Sequence, residues 1–285
     1  MVKGPIGVFD SGYGGLTILK EIIQKLPQYD YLYLGDNARA PYGQRSFDTI
    51  FQYTLECVQW FFKHDCPLVI LACNTASAKA LKNIQHYALP LIAPDRRVLG
   101  VIRPTAEVIG HHTHSGEIGI LATTGTVVSG SYLIEIRRSF PDVKVFQQAC
   151  PMWVPMIESN EYDNEGASFF IEKYVHQLRS QSKNIDTVLL ACTHYPLLGT
   201  KIKEIWPEIS ILSQGPIIAE SLKDYLSRHP EMAARIQGGS NYQFYTTDAE
   251  NDFDTHASLF FGKDIKAKHA EIDHTVHIPE INLFH

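Results

Sequence analysis

Apolar residues along this chain fall into short blocks separated by stretches with a helical rhythm. The runs at 6–9, 31–34, 68–72, 98–102, 118–122, 143–146 and 187–191 are brief and rich in β-branched and aromatic side chains, which predicts buried strands. Between two of them, within residues 46–63, Phe51, Leu55, Val58 and Phe62 recur at spacings of 4, 3 and 4, one face of an amphipathic helix. Strands that alternate with helices predict an α/β fold in which mostly parallel sheets are sandwiched by helices.

The pattern occurs twice. Residues 8–15 give a strand and a Gly-rich turn and lead on to the strand that ends at Ala72-Cys73. Residues 121–130 give a strand and a turn of Thr, Gly and Ser and lead on to Ala191-Cys192. This weak internal echo predicts two similar α/β domains with a boundary near Gly100. In open α/β sheets, ligands bind beyond the carboxyl ends of the strands. Asp10, Cys73, Thr123 and Cys192 all stand at or just after such ends, so domains that face each other would line one cleft with them.

Composition narrows the function classes. A chain of 285 residues, 45% apolar, supports one large core or two medium ones without covalent staples. The net charge of −6, with Lys and Arg spread along the chain, gives no basic patch to recruit nucleic acid. No apolar run approaches a membrane span, and the opening Met-Val-Lys-Gly-Pro lacks the apolar core of a signal peptide. Five cysteines, at 57, 66, 73, 150 and 192, include no CxxC pair, which argues against a disulfide framework or a zinc site. A reduced, cytoplasmic enzyme is the expected context.

Cys73 and Cys192 each close an apolar run and open a polar tripeptide, Cys73-Asn74-Thr75 and Cys192-Thr193-His194. A planar carbanion between two thiols can lose a proton to one face and regain it from the other, which is racemisation without a metal or organic cofactor. A free thiol, with pKa of about 8.5, is mostly protonated at neutral pH, so each cysteine needs help from a helix N-terminus or a neighbouring side chain. His194 is placed to assist Cys192, and Asp10 to assist Cys73. Cys57, Cys66 and Cys150 read as small buried hydrophobes. The turn Asp10-Ser11-Gly12-Tyr13-Gly14-Gly15 offers amides to a carboxylate, although an ordinary strand-to-helix turn has the same composition. It is not a dinucleotide fingerprint, because Thr17 replaces the last small residue, and it lacks the Lys of a phosphate loop. Pro41-Tyr42-Gly43 and Thr123-Thr124-Gly125-Thr126 are further loops able to border a small polar ligand.

The ordered set Val8-Phe-Asp-Ser-Gly-Tyr-Gly-Gly15, Ala40-Pro-Tyr-Gly43, Ala72-Cys-Asn-Thr75, Gly125-Thr126, Val154-Pro-Met-Ile-Glu158 and Ala191-Cys-Thr-His-Tyr-Pro196 resembles glutamate racemase over residues 6–262. The resemblance implies two α/β domains enclosing the site, no cofactor and no metal, a cytoplasmic homodimer, and a supply of D-glutamate for peptidoglycan. The first domain would comprise residues 1–100 and 213–285, and the second 101–212. Cys73 would take the proton from D-glutamate and Cys192 from L-glutamate, with Asp10 assisting Cys73, and His194 and Glu158 assisting Cys192. Asp10, Ser11, Pro41, Tyr42, Gly43, Asn74, Thr75, Thr123, Thr126, Thr193 and His194 would anchor the substrate's carboxylates and ammonium. Two stretches depart from the family pattern: Arg103-Pro104-Thr105, where many relatives have an acidic or polar residue and Pro-Gly, and Ser213-Gln214-Gly215, where Asp-Ser-Gly is frequent. The tail 263–285, with His269, His274 and His277, reads as a solvated or partner-packing segment rather than a metal site. Aspartate racemase, or another racemase of the same superfamily, is the nearest alternative. A non-catalytic amino-acid sensor would not need two thiols, and a related decarboxylase would need only one.

Overall fold

The computed structural model describes residues 3–275, in which ten strands form two sheets with every ladder parallel. The strands are β1 (Ile6–Asp10), β2 (Tyr31–Gly35), β3 (Leu68–Leu71), β4 (Arg97–Gly100), β5 (Glu117–Ala122), β6 (Lys144–Ala149), β7 (Thr187–Ala191), β8 (Ser210–Leu212), β9 (Tyr242–Thr246) and β10 (Ala267–His269). The first sheet runs β10-β9-β2-β1-β3-β4 and the second β6-β5-β7-β8. The second order repeats the β2-β1-β3-β4 part of the first, so the echo in the sequence is an echo in topology. Under it β3 corresponds to β7, and Cys73 to Cys192.

Strands β1, β3, β5 and β7 are buried along their whole length, because helices cover both sheet faces. That is why they read as continuous apolar runs and not as alternating ones. Among the flanking helices are α1 (Leu16–Lys25), α2 (Phe47–Lys63) and α3 (Asn74–Lys79). Ser46 caps α2 by accepting from Thr49 N at 3.2 Å, and the helix buries Phe51, Leu55 and Val58 as the periodicity predicts. Phe61, not Phe62, completes the fully buried stripe.

Register sets the site. Phe9 pairs with Leu71 and Asp10 with Gly35, so the chain leaves β1, β2 and β3 at one level. In the other sheet Ala122 pairs with both Ala149 and Ala191, which brings Thr123, Cys150 and Cys192 out together. The chain crosses between sheets after β4 and again after β8, where the helix Gln214–Arg228 packs along α1.

Two strands end two or more residues away from the sequence expectation. The strand expected at 98–102 stops at Gly100, and Ile102 opens the helix Ile102–Ile109. The strand expected at 143–146 continues to Ala149, because an edge strand tolerates the half-buried Gln147 and Gln148. The short β8 and β10 carry too few residues to show a period. In the tail, His269 Nδ1 lies 3.2 Å from Asp248 O and His274 Nδ1 lies 3.1 Å from Glu56 Oε2, while His277 lies outside the described residues. Among the described residues no group of His, Cys, Asp and Glu is arranged to hold a metal ion.

Candidate active site

The strand ends of the two sheets meet at a tight cavity of about 30 Å³ bordered by both Cys73 and Cys192. Cys73 is the N-cap of α3, its Sγ accepting from Ala76 N at 3.5 Å, and Ser11 Oγ lies 3.5 Å from the same sulfur. A helix N-terminus favours thiolate. Burial opposes it and wins: with the charge of Asp10 added, it pushes the Cys73 thiol up to about 12, so the free protein carries a thiol there. Asp10 is fully buried, and burial raises its carboxyl above the ordinary range. Its Oδ2 accepts from Gly15 N at 2.5 Å and from Thr193 Oγ1 at 3.3 Å, whereas Oδ1 has no partner. Asp10 therefore acts on Cys73 through charge, and Ser11 is the side chain in contact with the sulfur.

The opposite wall carries a relay. Cys192 Sγ lies 3.8 Å from His194 Nδ1, and His194 Nε2 lies 3.0 Å from Glu158 Oε1 at the end of the helix Trp153–Glu158. A thiol, an imidazole and a carboxylate in series is the arrangement that activates a cysteine and orients its partner. Burial disfavours the imidazolium, but the hydrogen bonds and charges of Cys192 and Glu158 together outweigh it and hold His194 well above its ordinary value of 6.5. A group whose folded pKa is raised stabilises the fold fully below its unfolded pKa and loses that contribution as pH rises through the folded value. Between the two the slope is about −1.4 kcal/mol per pH unit. Denaturant unfolding between pH 6 and 8.5 should show wild-type stability falling relative to His194→Gln by about that slope above pH 6.5. A constant difference over the range would contradict a raised His194.

The Gly-rich turn lies directly under this relay. A Cβ on Gly12 would stand 2.7 Å from Glu158 Oε1, and one on Gly14 would stand 2.5 Å from His194 Nδ1 and collide with Thr193 Oγ1. These glycines let the backbone of the first sheet's turn approach side chains of the second.

The remaining predicted anchors divide. Ser11, Pro41, Tyr42, Gly43, Asn74, Thr75, Thr123, Thr193 and His194 border the cavity, while Asp10, Thr126 and Glu158 stand behind its lining. Thr75 Oγ1 and Thr123 Oγ1 are 2.9 Å apart across the strand ends of the two sheets, and Thr126 Oγ1 is 3.1 Å from Thr123 Oγ1. Gly43 O accepts from Gly125 N at 2.8 Å, so the 41–43 loop is tied to the far wall. The Tyr42 hydroxyl donates to Asp36, a buried carboxylate that also pairs with Arg39 Nε at 2.7 Å, so this phenol braces the loop from behind.

Sequence reasoning missed Cys150, which borders the cavity together with Gln44, Pro151, Val154 and Pro155. The strand-end rule that selects Cys73 and Cys192 also selects Cys150 once β6 is extended to Ala149. Burial pushes its thiol up, and its sulfur lies 3.6 Å from Gln148 O, as suits a wall residue. Tyr132 and Gln214, which hold Asn74, carry no sequence signal that links them to it.

Comparison with known proteins agrees with this fold. The family profile described as Asp/Glu/Hydantoin racemase matches residues 6–221. A protein named glutamate racemase from Geobacter metallireducens is 40% identical over 259 residues, covering 90% of this chain and 92% of the relative. A second, from a Sulfurihydrogenibium species, is 36% identical over 269 residues, covering 94% and 97%. Among solved structures, glutamate racemase from Bacillus anthracis superposes with a TM-score of 0.84 at 31% identity, covering 94% of this chain and 97% of that one. The Francisella tularensis glutamate racemase in complex with D-glutamate gives 0.83 at 28% identity, covering 96% and 98%. With two parallel sheets in repeated order, a thiol at the end of the third strand of each, and relatives matched over nearly their whole length, this chain belongs to the Asp/Glu/hydantoin racemase family.

Proposed function

We propose that the protein is a glutamate racemase that interconverts L- and D-glutamate by two-base proton transfer between Cys73 and Cys192, supplying D-glutamate for peptidoglycan. The observation that carries this reading is that two thiols from equivalent strand ends border one cavity. In the L-to-D direction, the Cys192 thiolate takes the α-proton and the Cys73 thiol donates its own to the opposite face of the carbanion. In the reverse direction the roles exchange. The α-proton is weakly acidic, so the dianion that forms needs preorganised donors and exclusion of water. The hydroxyls of Thr75, Thr123 and Thr193 and the closed cavity are suited to that.

The high Cys73 value fits this scheme as a property of the free protein. Part of it comes from the Asp10 charge, and Asp10 keeps one oxygen without a partner. A substrate ammonium brought into the cavity near Asp10 would offset that charge and place a cation beside the sulfur, lowering the cost of thiolate when it is needed. The relay on the other side would serve Cys192 through His194. Of the helices described, none is long and apolar enough to cross a membrane.

The test is incubation of L-glutamate and, separately, L-aspartate in D₂O without added cofactor, following α-hydrogen exchange and optical rotation together. Exchange with loss of rotation on glutamate, at least tenfold faster than on aspartate, is the expected result. Loss of rotation on aspartate alone would move the assignment to an aspartate racemase, and no exchange on either would remove it.

A further inference from the structure

Asn74 stands one residue beyond Cys73 in the cavity wall, and its carboxamide is held in a closed ring of hydrogen bonds. Its Nδ2 donates to Gln214 Oε1 at 2.6 Å, Gln214 Nε2 donates to the Tyr132 hydroxyl at 2.8 Å, and that hydroxyl donates to Asn74 Oδ1 at 2.7 Å. All three side chains are buried, in three different elements: α3, the helix Ser131–Ser139 and the helix Gln214–Arg228.

Heavy-atom positions do not by themselves distinguish the two ends of an amide, so the ring's direction has to come from its neighbours. Gln214 Nε2 also lies 3.0 Å from Thr105 Oγ1 and 3.4 Å from Val101 O. The Thr105 hydroxyl donates its own proton to Val101 O at 2.7 Å, which leaves it an acceptor for Gln214. A backbone carbonyl can only accept. The amino end of Gln214 therefore faces Val101 and its carbonyl end faces Asn74. It follows that Asn74 donates from Nδ2 and accepts at Oδ1. A ring closed through an amide oxygen and the nitrogen of the same amide uses the hydrogen on the oxygen's side, so the second Nδ2 hydrogen points away from the ring.

Resting on the racemase reading above, we propose that Gln214 and Tyr132 are positioning residues that fix Asn74 as a hydrogen-bond donor to a substrate carboxylate. The polarity is anchored where the chain passes between the two sheets, since Val101 follows β4 directly and Gln214 lies two residues beyond β8. It also gives a role to Ser213-Gln214-Gly215, one of the stretches where the sequence departs from the family pattern.

Steady-state kinetics with both enantiomers test this on wild type, Tyr132→Phe, Asn74→Ala, Asn74→Asp and the double variant Tyr132→Phe/Asn74→Ala. Loss of one well-aligned donor to a charged group corresponds to about tenfold. Tyr132→Phe and Asn74→Ala should each raise KM by about that factor with kcat within about threefold. In the Asn74→Ala background, Tyr132→Phe should add less than about twofold, because it acts through a group already removed. Asn74→Asp, which keeps the shape and reverses the polarity, should raise KM above that of Asn74→Ala. Effects that multiply in the double variant, or an Asn74→Asp KM at or below that of Asn74→Ala, would overturn the proposal. Tyr132→Phe removes a single hydroxyl, and its folding is checked by thermal unfolding alongside. Wild-type protein inactive on glutamate is the separate failure of the functional reading and shows in the first measurement.

Discussion

Replacing Cys73 or Cys192 by Ala is expected to lower glutamate racemisation by about three orders of magnitude or more, with the fold intact, because positioned acid and base groups contribute about 10²–10⁴ each. The structural cost is small. Both side chains are buried, but each gives up only a sulfur, and with it the 3.5 Å cap to Ala76 on one side or the 3.8 Å approach to His194 on the other. The informative readout is α-hydrogen exchange in D₂O, measured on each enantiomer separately. Cys73→Ala keeps the thiol assigned to L-glutamate, so it should wash deuterium into L-glutamate slowly and with retention, and leave D-glutamate untouched. Cys192→Ala should show the mirror pattern. Exchange on the wrong enantiomer would reverse the assignment of faces. Racemisation within about tenfold of wild type in either variant would end the two-thiol scheme.

Gly14→Ala is expected to cost about 10²-fold or more in kcat/KM, with a stability cost of about 1–3 kcal/mol from overpacking a buried contact. The added methyl would meet Thr193 Oγ1 and stand 2.5 Å from His194 Nδ1, both on the opposite wall. Gly14 does not have the positive φ of Gly116, Gly130 or Gly262, so alanine fits its backbone. The conflict lies entirely between the two walls of the cavity, and it is relieved if they part slightly. A displacement of about 1 Å at a catalytic group is enough for a 10²-fold loss. Gly116→Ala makes the opposite case: φ is +75° and nothing lies within 4 Å of its Cβ, so it should cost about 1 kcal/mol in unfolding and leave kinetics unchanged. A stability loss well above about 3 kcal/mol in Gly14→Ala, or kcat/KM within about threefold of wild type, would mean that the methyl is not relieved by parting of the walls.

The strand ends are legible because buried parallel strands are plain apolar runs, and because a cysteine followed by Asn-Thr or Thr-His stands out against them. Asp10, Cys73, Thr123 and Cys192 are found by that rule, and all four lie at strand ends of the two facing sheets. Cys150 escapes it because polar Gln147 and Gln148 make an edge strand look finished at Phe146. The ring around Asn74 escapes it for a different reason. Asn74 and Gln214 are 140 positions apart, and Tyr132 lies between them on a helix that reads as ordinary core packing. No local pattern announces such a meeting, since register and helix packing create it. The helper of Cys73 shows the same limit: the sequence points to Asp10, whereas the side chain in contact with the sulfur is Ser11, its neighbour. A turn residue's identity is written in the sequence, but which of two successive side chains faces the strand beside it is not.

The unlike surroundings of the two thiols have a consequence for the rhythm of turnover. L- and D-glutamate have equal free energy in water, so kcat/KM must be the same in both directions, in the wild type and in every variant. Asymmetry in the walls cannot favour one product. It bears instead on the state of the empty cavity, where burial and the Asp10 charge keep the proton on Cys73. Under the proposed scheme each L-to-D conversion takes that proton from Cys73 and leaves one on Cys192. A proton must then return before another L-glutamate can react. Both sulfurs belong to residues only 5% and 6% exposed, so solvent reaches them when the walls separate to release product. Under that scheme restoring the starting form needs solvent, which ties it to the same parting of the walls that releases product.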